Sequence, residues 1–167
     1  MAQHPLHFLS RDDVRRALTM TEAVTAMKEA FRELSRGGAL APPRTHMEAA
    51  DPKGDVLVMP AYSPRFRRIG IKAITLFEKN RERGLPFIQA LVLLFDGETG
   101  LPLAVLDGGS LTAIRTGAAS GAATDFLARK DAHRAAIFGA GVQGRTQLEA
   151  VCAVRPIREA RVFDVSP

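Results

Sequence analysis

Apolar residues change their spacing along the chain, and the changes mark its elements. Val24, Met27, Phe31 and Leu34 recur three, four and three residues apart, so residues 21–35 should form a helix that turns these side chains to the core. Ser10-Arg11-Asp12-Asp13 has the form of a capping box and should open a shorter helix before it. Gly37-Gly38 ends the longer helix, and Pro42-Pro43 forces extended backbone. Runs with strand character follow at 44–48, 55–59, 69–77 and 87–95. Asp96-Gly97-Glu98-Thr99-Gly100 is a turn, after which 101–106 returns antiparallel as the second arm of a hairpin. From 110 to 129 the pattern is helical again, and Gly117, Ala118, Ala119, Gly121, Ala122 and Ala123 make that helix thin. A helical glycine costs roughly 1 kcal/mol relative to alanine, so close approach of another element is the reason to expect it there.

The character changes at Lys130-Asp131. A short apolar strand at 135–138, a helix at 143–154 and a second strand at 160–164 make one βαβ unit. Complete doubly wound sheets carry five or six strands, so this unit reads as the opening of a larger domain and the sequence as a piece of a longer protein. The expected fold is α/β: an N-terminal α/β domain over residues 1–129, then the first βαβ unit of a Rossmann domain over 130–167.

The turn between that strand and helix is Gly139-Ala140-Gly141-Val142-Gln143-Gly144. In a GxGxxG turn the first glycine permits the tight bend, the second lets backbone approach a pyrophosphate, and the third lets helix and strand pack closely. The helix N-terminus then presents unpaired N–H groups to the phosphates. Glycine spacing alone is a weak signal, and a chance glycine turn is the plain alternative; the flanking strand, helix and second strand are the context that gives it meaning. Asp164 closes the second strand, 20 residues after Gly144. A carboxylate there accepts hydrogen bonds from ribose hydroxyls and repels a 2′-phosphate, which favours NAD over NADP. A surface acid at a strand end is the other reading.

Composition narrows the partners. Apolar residues make up 46% and charged residues 25%, the balance of a soluble globular protein. The net charge of +5 is scattered and the one tyrosine is Tyr62, so the basic stripe with stacking aromatics that nucleic acid requires is missing. The longest apolar run, 90–95, is far too short to span a bilayer, and the N-terminal residues lack a signal peptide's apolar stretch. Cys152 is the only cysteine, so no internal disulfide forms and a reducing cytoplasm is the expected compartment. No cysteine-histidine zinc spacing is present.

Three basic residues stand apart. Arg44 follows the Pro-Pro corner, Lys72 interrupts an apolar strand where a charge is costly unless paired or functional, and Arg115 opens the thin helix. Two arginines could clamp a carboxylate by bidentate hydrogen bonds, and a partly desolvated lysine could serve as acid or base near neutral pH. Each could equally be a salt-bridged or surface residue. His46 and His133 have no partner in the sequence and read as structural; Ser110, Thr112 and Thr116 offer hydroxyls suited to capping or to phosphate.

Taken together, these residues resemble the ornithine cyclodeaminase/mu-crystallin family. The resemblance rests on Pro43-Arg44, Val58-Met59-Pro60, Gly70-Ile71-Lys72, Gly84-Leu85-Pro86, Thr99-Gly100 with Pro102, the segment from Leu111 to Gly117 and the glycine turn, and it runs along the whole chain. It implies a substrate domain that also forms a homodimer interface, followed by a Rossmann domain. It implies that Arg44 and Arg115 hold the carboxylate of a small amino or imino acid, that Lys72 is acid or base at the reacting C–N bond, and that Thr116 and the glycine turn approach the dinucleotide. The implied activity is NAD-dependent oxidoreduction of the alanine dehydrogenase or pyrroline-2-carboxylate reductase kind. Ornithine cyclodeamination and non-catalytic ligand binding, as in crystallin-like members, are the alternatives. Members acting on ornithine resemble one another in an acid at the position of Leu57 and a threonine at Phe87, so these apolar residues argue against a diamine. The acid that cyclodeaminases use for substrate chemistry would lie beyond residue 167.

Overall fold

A computed structural model describes residues 4–51 and 53–165. The chain divides into two compact units, one built from residues 1–14 and 33–111 and the other from 15–32 and 112–167.

The first unit is a six-stranded sheet formed by β1 (His7–Leu9), β2 (Thr45–Ala49), β3 (Gly54–Ser63), β4 (Arg68–Leu76), β5 (Ile88–Asp96) and β6 (Pro102–Asp107). Its spatial order is β1-β6-β5-β4-β3-β2. The strands from β2 to β6 form an antiparallel meander with short links, and β1 joins the far edge parallel to β6. The expected hairpin is the β5–β6 pair, and Asp96 organises its turn by accepting from the Thr99 hydroxyl and backbone at 2.8 and 2.9 Å. Those bonds, the hydroxyl's first, lower the Asp96 pKa. The three-residue β1 and a 3₁₀ turn at Glu78–Arg83 carry no periodic signal and are not predicted. The capping box is present. Asp13 accepts from the Ser10 backbone and hydroxyl at 2.9 and 2.5 Å at the start of α1 (Arg11–Ala17).

The second unit contains most of α2 (Met20–Ser35) and α3 (Gly108–Leu127), followed by β7 (Arg134–Phe138), α4 (Val142–Val154) and β8 (Glu159–Phe163). The parallel β7–β8 pair and the intervening helix form the expected βαβ unit. The contacts therefore group α2 and α3 with that unit, whereas the sequence reading divides the chain between 129 and 130. The small residues of α3 are the reason. A Cβ at Gly117 would lie 2.4 Å from the Thr146 carbonyl oxygen on α4, and one at Gly121 would lie 2.8 Å from Val24 on α2. Ala118, Ala122 and Ala150 are buried in the seam that results.

Two details of this unit differ from expectation. The apolar stripe of α2 is buried only over its first half, at Met20, Ala23 and Val24, while Phe31 and Leu34 are 46% and 50% exposed. The cover comes from around Gly121, which meets α2 at Val24. Arg155 was not singled out by the sequence, yet its side chain is 2% exposed. It donates to the carbonyls of Thr124 and Asp125 in the last turn of α3 and of Ala128 and Arg129 just beyond it, and to the Asp125 carboxylate at 2.7 Å. Lys28 also reaches Asp125, and with Arg155 and Lys130 it holds that carboxyl well below the usual range.

Candidate functional site

The ladder of the first unit fixes which residues share a sheet face. Lys72, in the middle of β4, is directly opposite Met59 on β3 and Val92 on β5. Directly opposed residues and residues two apart along a strand point the same way. Gly70, Ile74, Leu57, Ala90 and Leu94 therefore lie on the Lys72 face, so the lysine is half-buried amid apolar residues. The same register places Leu57 beside Ile74 and directly opposite His46, with Asp55 and Glu48 farther along the same face.

Arg44 immediately precedes Thr45, whose partner is Val58. Continued by one residue, that ladder brings Arg44 into line with Met59 and hence with Lys72. The two cations then share a face with one strand between them, roughly 10 Å apart at the backbone. Arg44 is exposed, free to swing toward a ligand. Arg115 lies on α3 in the other unit and is also exposed. Phe87 stands just before β5, where its ring carries the Arg81 guanidinium at 5.3 Å.

His46 has the partner its sequence neighbours did not reveal: its Nε2 lies 2.6 Å from an Asp55 carboxylate oxygen on the adjacent strand. His133 serves through its backbone, accepting from the N–H groups of Arg158 and Glu159. Ser110 is occupied at the start of α3, where its N–H donates to Asp107 at 2.7 Å.

The glycine turn of the second unit has the geometry its sequence foretells. Gly139 takes a φ of +101°, and its N–H donates to the Phe163 carbonyl at 2.7 Å. Gly141 caps α4 with extended backbone and brings no side chain to the first N–H groups of the helix. A Cβ at Gly144 would lie 1.9 Å from the Gly139 carbonyl oxygen, so only glycine lets helix and strand meet there. At Gly139 and Gly141 a Cβ would meet nothing within 4 Å, so open space lies on the side a pyrophosphate would need. Ala140, Val142 and Gln143 are exposed along the same turn. Asp164, one residue past β8, accepts the Ala140 N–H at 2.6 Å and so ties the strand end to the turn.

Among the described residues of this unit, the Thr116 hydroxyl on α3 is buried without a hydrogen-bond partner. It belongs to the residue before Gly117, which meets α4 near its beginning. An orphaned buried donor costs about 1–3 kcal/mol. The glycine N-cap of α4 and the open glycine turn present N–H groups of the kind a phosphate accepts from, so these residues fit a dinucleotide.

Residues 6–167 match the sequence profile of the ornithine cyclodeaminase/mu-crystallin family. An alanine dehydrogenase of Archaeoglobus fulgidus is 40% identical over 157 residues, which cover 94% of this chain and 48% of the relative. The solved Thermococcus litoralis Δ(1)-pyrroline-2-carboxylate reductase, in complex with NADH and L-proline, superposes with a TM-score of 0.88 at 46% identity, over 96% of this chain and 50% of that one. An archaeal alanine dehydrogenase dimer with bound NAD gives a TM-score of 0.88 at 38% identity, over 96% and 49%. The chain thus spans about half the length of the curated relatives it matches.

Proposed function

The chain belongs to the ornithine cyclodeaminase/mu-crystallin family, and on that premise we propose that it supplies the substrate sheet and the opening dinucleotide-binding unit of an NAD-dependent oxidoreductase for a small amino or cyclic imino acid. The observation that carries the reading is the face shared by Arg44, Lys72 and Leu57. It offers a carboxylate partner and a proton-transfer group, and the family resemblance puts the apolar Leu57 where members acting on ornithine have an acid.

When bound, the nicotinamide dinucleotide supplies the hydride donor or acceptor. Arg44 and Arg115 hold the substrate carboxylate; guanidinium groups suit this because they bind it bidentately. Lys72 gives a proton to the substrate nitrogen or takes one from it. Gly139, Ala140, Gly141, Val142, Gln143 and Gly144 line the pyrophosphate, with Thr116 donating to it. Asp164 selects NAD over NADP, because a carboxylate there repels a 2′-phosphate. The protein acts in the cytoplasm as a homodimer, and the archaeal alanine dehydrogenase dimer supports that assembly. Among the described residues no helix is long and apolar enough to cross a membrane.

Fluorescence titration of the full-length protein tests the cofactor assignment. NADH should bind more tightly than NADPH, and Asp164→Ala should weaken NADH and narrow the gap. No saturable binding of either cofactor would overturn the function; an unchanged ratio in the variant would remove Asp164 from the selection.

A further inference from the structure

The edge of the sheet carries a group of donors that the proposed reaction does not use. His46 and Glu48 are two residues apart on β2 and so point to one face. Asp55 on β3 is directly opposite Glu48. The three side chains each offer a ligand atom, and these atoms all lie within 4.8 Å of one another. His46 Nε2 and Asp55 Oδ1 are already 2.6 Å apart.

We propose that His46, Glu48 and Asp55 form a binding site for a zinc-class divalent metal ion. Two carboxylates directly opposed across a ladder repel each other, and a cation between them reverses that cost. An imidazole with two carboxylates is a donor set suited to zinc and its first-row neighbours. The side chains of His46 and Asp55 are 47% and 48% exposed, so water can complete the coordination sphere and the ion can enter from solvent. The ligands come from neighbouring strands, so a bound ion clips the edge strand β2 to β3. The three residues share the face of Leu57 but have no role in the reaction proposed above, and metal binding is read without turnover, so the two can fail separately.

Zinc chloride titrated calorimetrically into EDTA-stripped and dialysed full-length protein is the test. One equivalent should bind, and the melting temperature should rise with zinc concentration, since a ligand that binds only the native state stabilises it. His46→Ala should lose at least tenfold in affinity, and so should Asp55→Asn, which keeps an oxygen to accept from the imidazole but removes a charge. Cobalt(II) should give visible absorption in the wild type that both variants lack. Melting of the metal-free variants establishes that they fold. No binding by the wild type, or wild-type affinity in both folded variants, would overturn the assignment; the latter would place the ion on other histidines or on Cys152, the exposed free thiol.

Discussion

Replacing Lys72 with alanine should lower kcat of the full-length protein by about a thousandfold, within the 10² to 10⁴ that a positioned acid or base contributes. Its affinity for NADH should stay within about threefold of the wild type. The two expectations separate because Lys72 sits at the centre of β4, while the glycine turn belongs to the other unit. Lys72 pairs with Met59 and Val92 in the ladder through its backbone, and alanine in its place keeps that pairing. A merely structural lysine would show itself differently: the variant would melt earlier and lose cofactor binding and turnover together.

Gly144→Ala should act on the other half of the reaction. The added methyl would lie 1.9 Å from the Gly139 carbonyl oxygen and 3.4 Å from Ile137. A backbone oxygen cannot swing away as a side chain would, so the first turn of α4 must lift from β7. Overpacking of this kind typically costs about 1–3 kcal/mol. Expressed through the turn proposed to hold the pyrophosphate, that is a rise in the NADH dissociation constant of roughly fivefold to 150-fold. Fluorescence titration reads it directly. An unchanged dissociation constant would mean that the turn does not carry the cofactor.

The sequence exposed the parts of the fold that depend on local spacing. The glycine turn, the β5–β6 hairpin and the thin helix α3 could be placed because tight turns and close helix contacts demand particular residues. The role of Leu57 could be judged only in part, since a slip of one residue would have turned it to the opposite face. The ladder with Ile74 fixes the face on which it lies. Other features had no local signal. Arg155 looks like any basic residue after a helix, and its burial depends on carbonyls about 30 positions earlier in the chain. The partner of His46 lies nine residues away across a strand turn. Phe31 and Leu34 follow the helical period faithfully but remain substantially exposed, because periodicity names the apolar face without saying how far along the helix a neighbour covers it.

The central claim is that this sheet face serves a small amino or imino acid without a distal charge. The direct measurement is cofactor-linked turnover by the full-length protein, with pyrroline-2-carboxylate and L-ornithine assayed side by side. The expected result is NADH oxidation with pyrroline-2-carboxylate and little or no proline or ammonia from ornithine. Rapid release of proline and ammonia from ornithine, with no net change in NADH, would contradict it.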